Sequence, residues 1–281
     1  MIIIAQTFLP LHYNKNREIY NYLYTGGIMG KLTGKSIVVT GASSGMGRDI
    51  VRLFVKEGAS VVAVARRTER LNELAEELKN EEGKIVPFTG DVSKVESCEG
   101  MIDEAVKQFG KLDVLVNNAG VMDDMATVAN FTDEKYNHVF GINVYGPLAA
   151  TRKAVNVFLA QGNGGNIITV TSVGAKHQAA GVVYGASKAA IDAMIRHTAF
   201  VYRGEKIRCN GIAPGGIETE IATSMGMPNI DGYTRIQGVQ ALMPGMGKGN
   251  DIAQCALYLA SDDSSFVSGQ IVAVDGGWTA F

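Results

Sequence analysis

The sequence predicts an α/β fold: a single doubly wound, parallel, seven-stranded sheet with helices on both faces. Three observations lead there. Short runs rich in Val, Ile and Ala alternate with helix-period segments along the chain. The runs are apolar at successive positions, which suits strands covered on both faces rather than the in–out alternation of a half-solvated sheet. A glycine-rich turn follows the first run, where a parallel sheet places its ligand.

Residues 35–40 (KSIVVT) are the first expected strand, bounded by Gly34 and Gly41. A helix is expected over 48–57, with apolar residues at 50, 51, 53, 54 and 55 and Gly58 as its stop. Residues 60–65 (SVVAVA) form the second strand. Thr68 is expected to cap a helix through Lys79, with Glu69 and Glu73 near its positive end and Leu71, Leu74 and Leu78 on one face. Strand 84–89, helix 95–109 and strand 111–116 follow. One long helix is expected from about 133 to 160, then strand 166–171, helix 183–202 and strand 206–212. An irregular stretch leads to helix 251–260 and a last strand at 270–274. Right-handed crossovers between these strands wind the helices onto both faces.

Composition narrows the function classes. The chain of 281 residues is 46% apolar and 19% charged, which excludes disorder. Lys and Arg number 26 against 28 Asp and Glu, a net charge of −2, so no basic excess points to nucleic acid or an anionic membrane. Three scattered cysteines (Cys98, Cys209, Cys255) without a CxxC fit a reducing cytoplasm. Four histidines without ligand spacing give no expectation of a metal. No run of about 18 apolar residues is present to span a membrane.

The first residues, MIIIAQTFLPLHY, are broken by Pro10 and have their charges, Lys15 and Arg17, after the apolar run, the wrong order for a secretory signal. The text changes character at Met29. A GGAGGT coding of Gly26-Gly27 just before it would resemble a ribosome-binding site. Met29 is therefore expected as the natural start, with 1–28 an N-terminal extension, leader or flexible; the alternative is an extension whose Ile, Phe and Tyr side chains pack on the body. The domain itself is expected over 29–281, with a substrate loop at about 217–249.

Thr40-Gly41-Ala42-Ser43-Ser44-Gly45-Met46-Gly47 joins the first strand to the first helix. A pyrophosphate needs backbone N–H donors and a positive helix end, and glycine lets the main chain approach. Asn117-Asn118-Ala119-Gly120 follows the fourth strand, Asn143 lies in the long helix, Ser172 follows the fifth strand, and Tyr184-Gly185-Ala186-Ser187-Lys188 comes twelve residues later. Pro214-Gly215-Gly216-Ile217-Glu218-Thr219 follows the sixth strand. In this order and at these strand ends the motifs resemble the short-chain dehydrogenase/reductase family over roughly residues 31–281, with a Rossmann-type fold. The resemblance implies a dinucleotide held by Gly41, Ser43, Ser44, Gly45, Met46, Gly47, Asp91, Val92, Asn118, Ala119, Gly120, Pro214, Gly215, Ile217 and Thr219, together with Tyr184 and Lys188. It implies Asn143, Ser172, Tyr184 and Lys188 as the catalytic group. Tyr184 would exchange a proton with the substrate oxygen, Ser172 would orient the carbonyl, Lys188 would hold the nicotinamide ribose, and Asn143 would keep a helix distortion and a water.

Two readings come from the residues themselves. Tyr184 and Lys188 are one helical turn apart, and an ammonium ~5 Å away at an effective dielectric of ~20 would lower a phenol by about two pKa units. After the second strand, Ala65-Arg66-Arg67 offers two guanidinium groups where a carboxylate would favour NAD, so NADP(H) is expected through Arg66 and Arg67.

Met225, Met227, Met243, Met246 and Tyr233 after the sixth strand suit a bulky apolar ligand under a glycine-rich lid. A hydroxysteroid-type alcohol or ketone is the expectation. A 3-oxoacyl-carrier-protein reductase is the alternative, although Val121-Met122-Asp123-Asp124 departs from that group's Ile-Thr-Arg-Asp and Arg152-Lys153 is a thin docking patch. A non-catalytic redox sensor is the alternative of another class. His177 reads as a pocket-wall or surface residue. The family's long helices imply a homotetramer or dimer.

Overall fold

The computed structural model describes residues 30–280, so the expectations for 1–28 and for Met29 as a start lie outside the described residues. Seven parallel strands form one sheet: β1 (Ser36–Thr40), β2 (Ser60–Ala65), β3 (Lys84–Thr89), β4 (Val114–Asn117), β5 (Gly165–Val170), β6 (Ile207–Pro214) and β7 (Ile271–Val274). Their spatial order is β3-β2-β1-β4-β5-β6-β7. The order reverses direction between β1 and β4, and this switch point opens a crevice at the carboxyl ends of those strands.

The helices are α1 (Gly45–Lys56), α2 (Thr68–Glu77), α3 (Val95–Phe109), α4 (Asp133–Phe140), α5 (Gly146–Gln161), α6 (Val182–Val201), α7 (Ile230–Gln240) and α8 (Gly249–Ala260). Strand periodicity divides the core between two faces. Ile37 and Val39 pack with Phe54 of α1, Leu74 of α2 and Ile252 of α8. Val38 between them points the other way, to join Met101 of α3, Phe158 of α5 and Ile191 of α6. β3 is the half-buried edge and carries Pro87, where a missing N–H costs least.

The long helix carries the expected distortion at Asn143: one wide π-type turn, Gly141–Tyr145, joins α4 to α5 with no break in helical backbone. Two expectations need correction. Thr68 does not cap α2; the helix begins at Thr68 behind an extended Arg67, and the Thr68 hydroxyl instead bonds Thr89 Oγ1 at 2.8 Å. The irregular stretch contains α7. Asn229 caps it by accepting the Gly232 N–H at 3.0 Å, and the Trp278 indole N–H secures its far end by donating to Val239 O at 3.0 Å. Gly232 and Gly238 dilute the apolar period, which hides this helix from a pattern reading.

Candidate active site

The crevice wall begins with the turn between β1 and α1. Gly41 takes φ +72°, and a Cβ there would stand 2.7 Å from Asn118 Nδ2. A Cβ on Gly47 would lie 2.3 Å from Gly41 O, so the loop can close only with glycine at both places. No side chain caps the first turn of α1, which leaves its amide end open toward the crevice.

Gly41, Ser43, Ser44, Gly45, Met46 and Gly47 line one cavity with Arg66 and Arg67 after β2, Asp91 and Val92 after β3, and Asn118, Ala119 and Gly120 after β4. Thr219 closes it from the segment after β6. Thr40 joins two of these walls: its hydroxyl accepts the N–H groups of Asn118 and Ala119 at 3.0 and 3.1 Å, and its carbonyl accepts Asn118 Nδ2 at 2.9 Å. Asn118 Oδ1 is left buried without a partner. The open helix end, the glycine cradle and this orphaned acceptor fit a dinucleotide.

On the β2 side of the cavity, Arg67 spreads its guanidinium over the loop. Nε and Nη2 donate to Ser43 Oγ at 3.2 and 3.0 Å, and Nη2 also donates to Ser44 Oγ at 2.7 Å. Arg66 is exposed beside it. Asp91 Oδ1 accepts the Ser93 N–H at 2.9 Å; although burial pushes this carboxyl up, the Ser93 bonds and nearby Arg66 hold it below its usual range.

The other predicted group gathers beyond Gly120. A Cβ on Gly120 would stand 3.4 Å from Lys188 Nζ, so Lys188 borders the same crevice. Tyr184 and Lys188 are 7% and 4% exposed. Lys188 Nζ lies 5.6 Å from the Tyr184 ring centre and donates to Val170 O at 3.0 Å. The Ser172 hydroxyl accepts the Gly174 N–H at 3.0 Å and lies near enough to the phenol to oppose its rise. Asn143 locks the π-type turn onto the strand end: Nδ2 donates to Val121 O at 2.9 Å, and Oδ1 accepts Val121 N at 2.9 Å. Its Nδ2 also reaches Ser187 Oγ at 3.1 Å, and that hydroxyl donates to the Tyr184 carbonyl at 2.7 Å.

The electrostatics differ from the sequence expectation. Burial pushes the Tyr184 phenol up to about 12, with the Ser172 hydroxyl opposing and the Asp123 charge adding to the rise. Burial pulls the Lys188 ammonium down to about 8, with Asp192 opposing. Both groups are dry, so desolvation outweighs the attraction that would have lowered the phenol.

Pro214, Gly215 and Ile217 do not themselves line that cavity. Pro214 ends β6, Gly215 packs against Asp275, and Ile217 belongs to the core beside α1 and α8 while lining a second cavity with Met246 and Val274. Among the described residues no cluster of His, Cys, Asp and Glu could hold a metal ion.

One residue of the site escapes the sequence reading. Asp123 is fully buried. Its Oδ2 accepts the Tyr184 N–H at 2.8 Å, and Oδ1 accepts the Met125 N–H at 3.1 Å. It thereby caps the first turn of α6 from 61 residues away, where the helix has no cap of its own. Burial raises this carboxyl, and the surrounding N–H groups oppose the rise. Asp192, one turn beyond Lys188, is also buried; burial raises its carboxyl, and the neighbouring Thr171 hydroxyl opposes the rise.

The family model described as enoyl-(acyl carrier protein) reductase matches residues 41–279. The chain is 37% identical over 251 residues to 3beta-hydroxysteroid dehydrogenase 2 of Eggerthella lenta, covering 89% of this chain and 96% of that protein. It is 35% identical over 248 residues to a 3-oxoacyl-(acyl-carrier-protein) reductase of Thermotoga maritima, covering 88% and 98%. A solved short-chain type dehydrogenase/reductase from Mycobacterium marinum superposes with a TM-score of 0.80 at 29% identity, covering 89% of this chain and 97% of that one. The chain belongs to the short-chain dehydrogenase/reductase family, oxidoreductases that act on small molecules with a nicotinamide dinucleotide.

Proposed function

We propose that the protein is an NADP(H)-dependent oxidoreductase interconverting a secondary alcohol and a ketone, on a lipophilic substrate of the hydroxysteroid kind. The observation that carries this is the meeting of Ser172, Tyr184 and Lys188 at the inner end of a glycine-walled crevice. A bound nicotinamide would supply or accept the hydride. Tyr184, neutral well above physiological pH, gives its proton to the carbonyl oxygen during reduction. The Ser172 hydroxyl, already accepting from Gly174, keeps its own proton to orient that oxygen and to steady its developing charge. Lys188 holds the ribose, and Asn143 fixes the turn on which Tyr184 and Ser187 lean. In the oxidative direction the positive charge of an oxidised nicotinamide would favour the phenolate.

Arg67, beside the Ser43 hydroxyl, supports the preference for a 2′-phosphate. Arg66, Asp91 and Val92 would complete the adenosine end, and Pro214, Gly215, Ile217 and Thr219 the nicotinamide end. Met227, Ile230, Tyr233, Leu242 and Met246 expose apolar surface on the loop and α7, as a lipophilic substrate's cover requires. The hydroxysteroid dehydrogenase relative supports the same class.

The carrier-protein alternative has less surface to dock on. Arg152 is paired with Glu99 at 3.2 Å and Lys153 with Asp103, so the thin basic patch is largely neutralised. Assembly into a homotetramer or dimer is part of the proposal; Tyr145, Leu148 and Leu159 of the π-type turn and α5, with Phe200 and Val201 of α6, leave apolar surface exposed. So is a cytoplasmic setting. Among the described residues no helix is long and apolar enough to cross a membrane.

A screen of NADPH and NADH consumption across steroids, bile acids, acyl thioesters and simple ketones tests the reading. The expected result is turnover of a steroid-like ketone with a higher kcat/KM for NADPH; an NADH preference, or turnover of acyl thioesters alone, contradicts it.

A further inference from the structure

Glu220 opens a short turn, Glu220–Ser224, laid across the mouth of the cofactor crevice. Its carboxylate accepts Arg67 Nη1 at 3.0 Å. Arg70, on α2, donates Nη1 to both carboxylate oxygens at 2.9 and 2.8 Å. These two guanidinium bonds hold the carboxyl below its usual range. The same turn reaches the inner part of the crevice through Ser224, whose hydroxyl accepts the Met122 N–H at 3.0 Å. An anion from the substrate loop therefore rests on the guanidinium that a cofactor 2′-phosphate would use.

We propose that Glu220 is a tethered competitor for the 2′-phosphate and a determinant of cofactor affinity in this protein. The inference rests on the NADP(H) reading above. Arg67 has three donor groups directed at partners: Nε and Nη2 at the Ser43 and Ser44 hydroxyls, and Nη1 at Glu220. A phosphate arriving beside Ser43 must share or take Nη1, and Glu220 repels it from the far side. Neutral adenosine hydroxyls feel little of this charge. Glu220 thus weakens phosphorylated cofactors selectively. Through the turn it begins, it links the adenosine end to the segment that covers the substrate.

The test uses calorimetric titration of wild-type protein and Glu220→Gln with two probes, adenosine 2′,5′-bisphosphate and adenosine 5′-monophosphate. Glutamine keeps the length and removes the charge. The expected result is about fivefold tighter bisphosphate binding in the variant, within the range of an exposed ion pair, with the monophosphate changed less than about twofold. Unchanged or weaker bisphosphate binding overturns the inference, as does an equal gain for both probes. If wild-type protein binds both probes equally, the NADP(H) reading itself fails, and this result is read before any variant is made.

Discussion

The two ends of the crevice are built on opposite electrostatic terms. At the inner end Tyr184, Lys188 and Asp123 are buried, and desolvation sets their ionisation: the phenol and carboxyl rise, and the ammonium falls. At the outer end Arg67, Arg70 and Glu220 are roughly half exposed, and ion pairing sets the state of Glu220. The inner end is a dry site where a proton's position is decided by the protein, as the proposed proton transfer to a substrate oxygen would demand. The outer end is a wet site where a charge is recognised and exchanged with solvent, as reversible cofactor binding demands.

That contrast can be broken by substitutions, beginning at the dry end. Tyr184→Phe removes the proposed proton donor and keeps the ring. Turnover is expected to fall about 10³-fold or more while NADPH affinity, followed by fluorescence titration, stays within about twofold. Near-normal kcat in this variant would refute the assignment of the phenol.

Lys188→Met should lower turnover about 100-fold and yet stabilise the fold at neutral pH by about 1–2 kcal/mol. The Lys188 ammonium sits at about 8 in the folded protein against an ordinary 10.5, so its buried charge destabilises the fold below about 8. As pH rises from about 8 toward 10.5 the unfolded chain binds more protons, wild-type stability gains, and the advantage of the variant shrinks. Denaturant titrations at two pH values check this; a variant less stable than wild type at pH 7 contradicts it.

At the wet end Arg67→Ala should weaken NADPH by about tenfold and NADH by less than about twofold, with the difference narrowing in high salt. Equal losses for both cofactors would remove Arg67 from phosphate recognition.

The smallest effect is expected at the cap between the two ends. Asp123→Asn keeps one acceptor but turns an amide N–H₂ toward a backbone N–H of Met125 or Tyr184, at a cost of about 1–2 kcal/mol. A lower melting temperature with a several-fold lower kcat is the expected result; an unchanged Tm would show that the cap does not steady α6.

Much of this architecture was legible in the residues. All seven strands fall within a few residues of their apolar runs, because a parallel sheet buried on both sides leaves a continuous apolar signal. The crevice loop, Asn118, Asn143, Ser172, Tyr184 and Lys188 carry recognisable spacing, and the fold brings their segments to the same strand ends. What local pattern could not show is long-range. Asp123 and Tyr184 are 61 positions apart, and the Arg67–Glu220 pair spans 153. The phenol's ionisation also depends on burial, which pair spacing alone does not contain; reading the lysine without its desolvation predicted the wrong direction. The helix α7 was hidden because its docking glycine, Gly232, sits where a side chain would strike Met125 O.

The most direct test of the proton-donor assignment is the pH dependence of both directions at saturating cofactor, from about pH 6 to about pH 10. The phenol placed here predicts ketone reduction that holds or falls toward alkaline pH and alcohol oxidation that rises, the two profiles diverging and the divergence disappearing in the residual activity of Tyr184→Phe. Identical, flat profiles in both directions for the wild-type protein would contradict it.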